Sequence, residues 1–426
     1  MTNFDDPVWT PPAGKTIRLS PIKGREDVDL AIVGGGLLGL STALEAVRLG
    51  LSVRVLEAGR IGGHAAGLNG GQVIPGLKQD PESLVARFGE KKGAALVDFV
   101  AATADHVFSL IEKEGLDVEH GRHGWIHAAH HLGALEAMKS RNAEWKARGA
   151  DCDLLDKATV ETMTGASGYV GGWIDRRAGV VNPRAFVLEL ARKAAEAGAA
   201  IAEGEEVARL ARRADGFELS TRTGKTVAAG HVLAATNAYS DQLVPGLARS
   251  MVPLHSFQIA TAPLPEGLAG KILPGGQAVS DSRRIIIYYR KSADGRLVFG
   301  GRGRMGPPKS AADWAHLERA MIRIFPALMD IAIEKRWFGR VAVTADHLPH
   351  LHEPEKGLVS FVGCQGRGLG LMTAMGPKIA SYFAIGNPDV LPFPITPISP
   401  IPLHAFRQIG VAATIAWYRM LDAREK

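Results

Sequence analysis

The sequence has few cysteines and no long apolar run, and both absences exclude classes of protein. Cys152 and Cys364 are the two cysteines in 426 residues, too few and too far apart for a disulfide framework or a CxxC metal site. Apolar stretches are interrupted by glycine or charge before they reach the length of a membrane-spanning helix. The N-terminus has no basic region followed by an apolar stretch, as a secretory signal would. We therefore expect a cytoplasmic protein without a transmembrane segment.

The charge balance does not point to nucleic acid. Lys and Arg exceed Asp and Glu by six, but the basic residues are scattered among acidic ones, which is typical of an ordinary surface. With 46% hydrophobic and 22% charged residues, the chain has the composition of a folded globular protein. Its length favours two domains.

The first structured segment is predicted to be a strand–helix–strand unit. Apolar runs at 30–33 and 51–56 predict two strands, and the apolar spacing of 37–49 predicts a buried helix between them. Further strands are expected at 199–236, 251–262, 285–290, 296–300, 336–343 and 358–363. Nucleotide-binding character at both ends, with strand-rich segments between, indicates that the chain leaves one domain and returns to it.

A GxGxxG motif lies between the two strands. Gly34 permits a tight turn, Gly36 lets a diphosphate approach the backbone, and Gly39 lets helix and strand pack closely. The helix N-terminus would face the phosphates. Glu57 ends the second strand, where it can accept hydrogen bonds from a ribose diol and would repel the extra phosphate of NADP. This motif predicts a dinucleotide site, and by itself it leaves FAD and NAD open.

Four further segments separate these two cofactors. Residues 59–73 (GRIGGHAAGLNGGQV), 231–240 (HVLAATNAYS), 294–304 (DGRLVFGGRGR) and 362–380 (VGCQGRGLGLMTAMGPKIA) follow the glycine motif in this order. Together they resemble the D-amino-acid oxidase and glycine oxidase (DAO) family of flavoproteins, and within it the γ-glutamylputrescine oxidoreductase type. The resemblance implies FAD as cofactor and oxidation of the C–N bond of an amine or amino acid to an imine.

The resemblance also implies an α/β fold, in which a Rossmann-like FAD-binding domain of the GR2 type carries an inserted, discontinuous antiparallel-sheet substrate domain. The FAD-binding domain would comprise 28–80, 182–250 and 340–390, and the substrate domain 81–181 and 251–339. Residues 1–27 would form an extended arm that packs late or not at all. Residues 391–426 would form a proline-rich connector and a C-terminal helix.

Residues that match the family's cofactor site run along the whole chain. Those expected to contact FAD are Gly34, Gly36, Leu38, Gly39, Glu57, Ala58, Arg60, His64, Ala65, Ala66, Asn69, Gly70, Gly71, Gln72, Val207, Ala235, Thr236, Asn237, Gly339, Gly366, Arg367, Gly368, Leu369 and Gly370. The stretch from Gly366 would place a helix N-terminus near the flavin, where its dipole stabilises the negative charge of the reduced ring.

One part of residues 59–73, which we call the flavin loop, departs from the γ-glutamylputrescine oxidoreductase pattern. His64 and the residues after it resemble the HAAGL segment of dimethylglycine and sarcosine dehydrogenases, in which the histidine is bonded covalently to flavin. Non-covalent FAD is the expected state, with a covalent link at His64 as the alternative.

Aromatic and arginine side chains are the candidates for the substrate site. An aromatic pocket would lower the pKa of a substrate ammonium by desolvation, and alternation along a strand allows only one of two adjacent tyrosines to face the flavin. Arginine binds a substrate carboxylate through two parallel hydrogen bonds. The aromatic candidates are Tyr288, Tyr289 and Trp337, and the arginine candidates are Arg290, Arg302 and Arg340.

Three further features of the sequence do not indicate a metal site, a nucleophile or a specific electron acceptor. The histidines at 347, 350 and 352 lie among prolines, which predicts a loop; the family resemblance implies that this loop lies beside the flavin, and no metal site is expected. Cys364 is expected to be a small buried residue. The sarcosine-oxidase type has an oxygen-activating lysine, and the matching stretch Leu297-Val298-Phe299 has none, so the electron acceptor can be O₂ or another molecule.

Several alternatives stay open. A sarcosine- or dimethylglycine-like N-methyl substrate, or a D-amino acid, competes with a γ-glutamylated polyamine. A flavin-binding redox subunit without an amine substrate of its own is the alternative from another class of function.

Overall fold

The computed structural model describes residues 6–425, in which strands and helices follow one another along the whole chain. The strands are β1 Arg25–Val33, β2 Val53–Leu56, β3 Gln72–Val73, β4 His120–Gly121, β5 Trp125–Ala129, β6 Cys152–Asp156, β7 Gly171–Asp175, β8 Gly179–Val181, β9 Ala200–Ala202, β10 Val207–Arg213, β11 Gly216–Thr221, β12 Thr226–Ala234, β13 Val252–Pro263, β14 Ala278–Asp281, β15 Ile287–Lys291, β16 Arg296–Arg302, β17 Ile333–Val343, β18 His350–Glu355 and β19 Leu358–Val362. The helices are α1 Leu37–Arg48, α2 Ala65–Leu68, α3 Pro81–Phe88, α4 Glu90–Ala101, α5 Thr103–Glu114, α6 Leu132–Ala147, α7 Lys157–Thr164, α8 Pro183–Ala197, α9 Glu266–Ala269, α10 Ala315–Ile324, α11 Gly368–Ile385 and α12 Arg407–Arg424.

The first large sheet has the order β10-β11-β12-β1-β2-β9, with β19 beside β12 and β18 beside β19. The strands β19, β12, β1, β2 and β9 are parallel. In a parallel sheet all strands end at the same edge, and ligands bind outside that carboxyl edge. Helices α1 and α11 pack on each other and belong to the same apolar core as the sheet.

The second large sheet has the order β17-β13-β16-β15-β14-β5-β7-β6 and draws its strands from two separate parts of the chain. Its strands are antiparallel except for the parallel pair of β14 and β5. A second apolar core lies under this sheet and includes α10. The fold class predicted from the sequence is confirmed: a Rossmann-like sheet is combined with a discontinuous, largely antiparallel one. Strand β17 belongs to the second sheet and crosses the domain boundary expected at 339/340.

The N-terminal arm differs from the expectation that it packs late or not at all. Trp9 is 3% exposed, and its indole N–H donates to the carbonyl of Asn69 at 2.9 Å. Its ring meets Trp337 edge to face, with the ring centroids 6.0 Å apart. A large apolar ring gains too much from burial to remain in solvent, so the arm is held against the protein. Residues 1–5 lie outside the described part.

The segment predicted as a loop around His350 and His352 is partly a strand. Strand β18 pairs antiparallel with β19, and its register shifts between His352 and Glu355. Pro354 has no N–H to donate and lies inside that irregularity, where a sheet tolerates proline.

Among the described residues, no single helix is long and apolar enough to cross a membrane. Helices α4 and α5 pass the test of length and composition only as a pair, with a bend of 44° between them.

Candidate functional site

A cavity of about 1090 Å³ lies where the carboxyl edge of the first sheet meets one face of the second. Most residues that match the family's cofactor site line it. They are Gly34, Gly36, Leu38, Glu57, Ala58, Arg60, His64, Ala65, Ala66, Asn69, Gly70, Gln72, Val207, Ala235, Thr236, Asn237, Gly339, Gly366, Arg367, Gly368 and Leu369. Folding thus brings together segments that are up to 335 residues apart in the chain.

In the turn after β1, packing requires glycine at two positions of the GxGxxG motif, and the third position is open to the cavity. Gly34 has φ of +108°, and a Cβ there would lie 3.0 Å from the carbonyl oxygen of Ala235. A Cβ on Gly39 would lie 2.1 Å from the carbonyl oxygen of Gly34. At Gly36 the nearest atom to an added Cβ is 4.0 Å away, on Ala66. The backbone at Gly36 is therefore open to a ligand in the cavity.

Three of the predicted cofactor glycines, Gly39, Gly71 and Gly370, lie behind the cavity surface. Gly39 permits contact between helix and turn, as described above. A Cβ on Gly71 would lie 2.2 Å from the carbonyl oxygen of Val181, and one on Gly370 would lie 3.2 Å from the hydroxyl of Thr103. These glycines position the site through close packing and do not line the cavity.

Glu57 is held in place at the end of β2. One carboxylate oxygen accepts from the N–H of Gly35 and the other from the N–H of Gly59, both at 2.8 Å. Each oxygen keeps a second lone pair, and the residue lines the cavity. A fixed acceptor next to the glycine turn has the chemistry that binds a ribose diol.

His64 lies beside this acid. Its Nδ1 is 3.8 Å from a carboxylate oxygen of Glu57, and its ring meets Tyr239 edge to face at a centroid distance of 4.9 Å. The guanidinium of Arg340 lies over the same Tyr239 ring, 4.9 Å from its centroid. His64 therefore lies at the end of the cavity that contains Glu57.

The loop after His64 is tied to the second sheet. The amide of Asn69 donates to the carbonyls of Ala65 and Ala66 at 3.1 and 2.8 Å. The carbonyl of Leu68 accepts from the Gln258 side chain at 2.7 Å and from the Trp337 indole at 3.0 Å. Trp337 is fully buried, so the structure makes it a support for the loop and not a wall of the substrate pocket.

The loop that leads into α11 is anchored from the opposite side. The Asn237 side chain accepts from the N–H of Gly363 at 3.1 Å and donates to the sulfur of Cys364 at 3.4 Å. The Arg367 guanidinium donates to the carbonyl of Pro75 at 2.6 Å, and its enclosure by protein lowers its pKa to about 9. Cys364 is buried, as expected. The positive end of α11 thus faces the cavity beside a cation.

The side chains of the two adjacent tyrosines of β15 point to opposite faces of the sheet, as alternation along a strand requires. Tyr288 lines the cavity and its hydroxyl is 2.8 Å from that of Ser256. Tyr289 is fully buried in the second core and stacks on Phe299. The candidate catalytic role of Tyr289 is therefore wrong, because its side chain points away from the cavity.

The position of Tyr288 depends on two glycines, of which sequence reasoning singled out Gly70 and missed Gly300. Tyr288 lies opposite Gly300 in the register of β15 and β16, and a Cβ on Gly300 would be 2.3 Å from the tyrosine ring. A Cβ on Gly70 would approach the same ring to 2.9 Å. The ring thus lies between the second sheet and the flavin loop.

The three candidate arginines have different surroundings. Arg302 lines the cavity, donates to the sulfur of Met305 at 3.2 Å, and leaves its buried Nε without a partner. Burial lowers its pKa to about 10. Arg340 also lines the cavity. Arg290 does not, because its guanidinium binds the carbonyl of Val181 at 2.7 Å and lies over Trp9. Its candidacy for substrate binding is wrong.

Polar residues that sequence reasoning missed also line the cavity. His255 is 6% exposed, both ring nitrogens lack a partner among the described residues, and burial lowers its pKa to about 4. The buried Oε1 atoms of Gln258 and Gln365 are likewise without partners. Alternation along β13 could have found Ser256 and Gln258, which are two residues apart. For isolated polar residues, the sequence does not indicate whether the side chain points into the cavity.

A basic cluster at another part of the cavity was also missed. Lys78, Arg141 and Arg367 line it together with His127, which stacks on Trp125 at a centroid distance of 5.2 Å. Surrounding protein atoms, and then Arg367, lower the pKa of Lys78. Burial, followed by the neighbouring arginines, lowers the pKa of His127 to about 3, so its ring is neutral at physiological pH. This cluster favours anions.

The histidines at 347, 350 and 352 are not gathered as metal ligands. His350 contacts Asp346 at 2.9 Å, and the Nδ1 of His352 donates to the carbonyl of Thr396 at 2.8 Å. Within residues 6–425, one group of three metal-ligand side chains is close enough to share an ion: His130, His131 and Glu425. Both oxygens of Glu425 already accept from Arg284, at 2.5 and 2.6 Å.

The cavity fits FAD by its shape and by its donors. It is continuous from the open backbone at Gly36 and the fixed acid Glu57 to the N-terminus of α11 and the second sheet. Several buried polar atoms along it have no partner within the described chain, as a site completed by a ligand requires.

Comparisons with known proteins agree with this arrangement. A sequence profile of FAD dependent oxidoreductases matches residues 29–382. The chain is 31% identical over 412 residues to the probable oxidoreductase OrdL of Rhizobium meliloti (strain 1021), which covers 94% of this chain and 93% of the relative. It is 27% identical over 409 residues to γ-glutamylputrescine oxidoreductase of Escherichia coli (strain K12), covering 92% and 94%.

A solved structure shares the fold. Glycine oxidase from Geobacillus kaustophilus superposes with a TM-score of 0.74 at 22% identity, covering 89% of this chain and 99% of that chain. The family resemblance and the FAD cofactor inferred from the sequence are confirmed. This chain belongs to the DAO family of FAD-dependent oxidoreductases, which act on the C–N bonds of amines or amino acids.

Proposed function

We propose that this enzyme oxidises the C–N bond of an amine or amino acid that carries an anionic group, with a γ-glutamylated polyamine as the leading candidate. The observation that carries the proposal is Arg302, a cation that lines the cavity without an acidic partner among the described residues. A buried cation without a counter-ion is costly, and a substrate carboxylate would neutralise it. When bound, FAD supplies a hydride acceptor for the carbon next to the amine nitrogen.

The chain's own residues hold, orient and desolvate the reactants. Gly36 and Glu57 would hold the diphosphate and the ribose, and the helix dipole of α11 would stabilise negative charge on the flavin ring. Tyr288 is enclosed, and desolvation raises its pKa to about 12, so it stays a neutral donor and acceptor. Burial likewise keeps His255 neutral above a pKa of about 4. Neutral side chains and desolvation beside the amine favour its unprotonated form, from whose α-carbon a hydride can leave.

FAD is proposed to be bound without a covalent link. His64 lies beside Glu57, the acid expected at the ribose, which supports a contact to the ribose or diphosphate. Acid precipitation checks this: a colourless pellet with free FAD in the supernatant is expected. A yellow pellet would favour attachment at His64.

The electron acceptor is open to a direct test. The stretch 297–299 contains no lysine, but Lys78 reaches the cavity from another segment, so a cation is available there. Reoxidation of the reduced enzyme by O₂ should be slower in Lys78→Met if the enzyme is an oxidase. Equal, slow reoxidation in both proteins would favour a dehydrogenase that uses another acceptor.

The proposal is tested by anaerobic bleaching of the bound flavin with a substrate panel. The panel contains γ-glutamylputrescine, putrescine, sarcosine, dimethylglycine, glycine and D-amino acids. Bleaching by γ-glutamylputrescine and not by putrescine is expected, because only the former carries a carboxylate. Preferential bleaching by sarcosine or dimethylglycine would favour the N-methyl alternative. No bleaching by any member would favour a redox subunit. A cytoplasmic location stays a prediction, checked by cell fractionation.

A further inference from the structure

The C-terminal helix α12 forms an outer wall of the cavity. Val411, Thr414, Ile415 and Tyr418 line the cavity together with the two sheets. Their spacing of three, one and three residues places them on one face of a helix. The segment that sequence reasoning identified only as a C-terminal helix therefore contributes directly to the site.

The opposite face of the same helix points to solvent. Ile409 and Trp417 are 69% and 54% exposed. Substitutions on this face change the helix without changing the cavity, so the chain offers its own matched control.

The helix is held by contacts before its first turn and at its C-terminal end. Before it, a ring nitrogen of His404 donates to the carbonyl of Met251 at 2.8 Å. At its C-terminal end, the Arg284 guanidinium donates to both oxygens of Glu425, at 2.5 and 2.6 Å, and to Asp422 at 3.0 Å. Two parallel bonds between arginine and a carboxylate are geometrically specific as well as strong. We call these contacts of Arg284 with Asp422 and Glu425 the clasp.

The clasp also positions a second part of the cavity lining. Asp422 accepts from the backbone N–H groups of Arg284 and Ile285, both at 3.3 Å. Residues 283–286 connect β14 to β15 and line the cavity. The same contacts therefore hold the helix against the connection that leads directly into Tyr288.

We propose that α12 determines substrate specificity: Ile415 and Tyr418 limit the length and bulk of the substrate, and the clasp limits access to the cavity. This inference rests on the proposed function only for the identity of the reacting group. The lining of the wall is largely apolar, whereas Arg302, Arg340 and the basic cluster lie on other parts of the cavity. Such a wall suits a methylene chain between polar ends and excludes bulk that does not fit.

The test compares inner-face and outer-face variants. Ile415→Ala and Tyr418→Ala enlarge the cavity, and Ile409→Ala is the control. The readout is the ratio of the anaerobic flavin-reduction rate constants for γ-glutamylputrescine and sarcosine. A shift of about tenfold in that ratio is expected for the inner-face variants, the size of effect that one or two methylenes have in an apolar pocket. A ratio that stays at the wild-type value in both inner-face variants, or moves equally in the control, overturns the proposal.

A second measurement does not depend on any amine substrate. Dithionite reduces bound flavin directly, and its rate reports access to the cavity. Arg284→Met removes the clasp and is expected to accelerate this reduction several-fold at unchanged FAD content, whereas Trp417→Ala is not. Equal rates in Arg284→Met and wild type would refute the clasp as an access barrier. Faster dithionite reduction without bleaching by any amine would instead refute the proposed function and leave the wall supported.

Discussion

Arg290, which is fully buried, and Arg302, which is partly buried, have similarly lowered pKa values, and this allows a prediction about what each guanidinium binds. Burial lowers the pKa of both Arg290 and Arg302 to about 10. Because the usual arginine pKa is 12.5, this depression corresponds in each case to a net cost of about 3 kcal/mol for the charged form, which for Arg290 already includes the attraction of Glu119. Replacement by Met removes that cost from both sites. It cancels when the two variants are compared, so the difference between them reports what each guanidinium binds.

Arg290 has a full set of structural partners. It donates to the carbonyl of Val181 at 2.7 Å and to that of Gly71 at 3.3 Å, lies 3.5 Å from Glu119, and covers the ring of Trp9. Hydrogen bonds from a charged donor contribute about 1.5–3 kcal/mol each, and the longer one less. We expect Arg290→Met to lose about 3 kcal/mol of unfolding free energy relative to Arg302→Met.

The Arg302 side chain makes few contacts that stabilise the fold. Its described side-chain hydrogen bond reaches a methionine sulfur at 3.2 Å. Arg302→Met is therefore expected to be at least as stable as wild type, while the KM for a carboxylated amine rises about 10- to 100-fold, the value of one charged hydrogen-bonded contact.

The assay is thermal unfolding of the FAD-loaded proteins, followed by flavin fluorescence, together with steady-state kinetics. For a chain of 426 residues a difference of 3 kcal/mol shifts Tm by about 3 °C. If Arg302→Met melts as early as Arg290→Met, or if its KM for carboxylated amines is unchanged, the assignment of Arg302 as an unpaired substrate anchor is refuted.

Three further predictions follow from the site. Gly300→Ala should slow flavin reduction at unchanged FAD content, because its Cβ would lie 2.3 Å from the Tyr288 ring; a normal rate constant in stopped flow would contradict this. Gly39→Ala should yield protein without FAD absorbance, since its Cβ would lie 2.1 Å from a backbone oxygen in the glycine turn. For His255 the folded-state pKa of about 4 lies below the unfolded value of 6.5, so the unfolded chain binds a proton first as pH falls. Stability should therefore decrease by up to about 1.4 kcal/mol per pH unit between 6.5 and 4 from this group, and His255→Gln should show a shallower decline of Tm in that range.

Local motifs in the sequence predicted a dinucleotide site, and the family resemblance implied FAD and most of the residues that line the cavity. The close contacts at Gly34 and Gly39 depend on a strand, a tight turn and a helix that are consecutive in the chain, so spacing alone identifies them. The acid at Glu57 follows by the same logic, because a strand of known length places its last side chain beside the turn. Long segments with clear periodicity, such as α1 and α11, were also predictable.

Tertiary structure decided which candidate side chains face the cavity. Tyr288 and Tyr289 are adjacent and chemically equal, and only the register of β15 with β16 determines which one faces the cavity. Arg290 and Arg302 differ in whether a neighbouring chain segment offers carbonyls. Neither distinction is local, so no window of sequence contains it.

The enclosure of the substrate site depended most on the overall fold. His255, Lys78 and the inner face of α12 come from separate parts of the chain, and each becomes part of the cavity only when the two sheets and the C-terminal helix meet. Nucleotide binding uses backbone atoms within one supersecondary unit, which a short sequence specifies by itself. Substrate selection uses side chains whose distances are set by packing among elements hundreds of residues apart, and packing is a property of the folded chain.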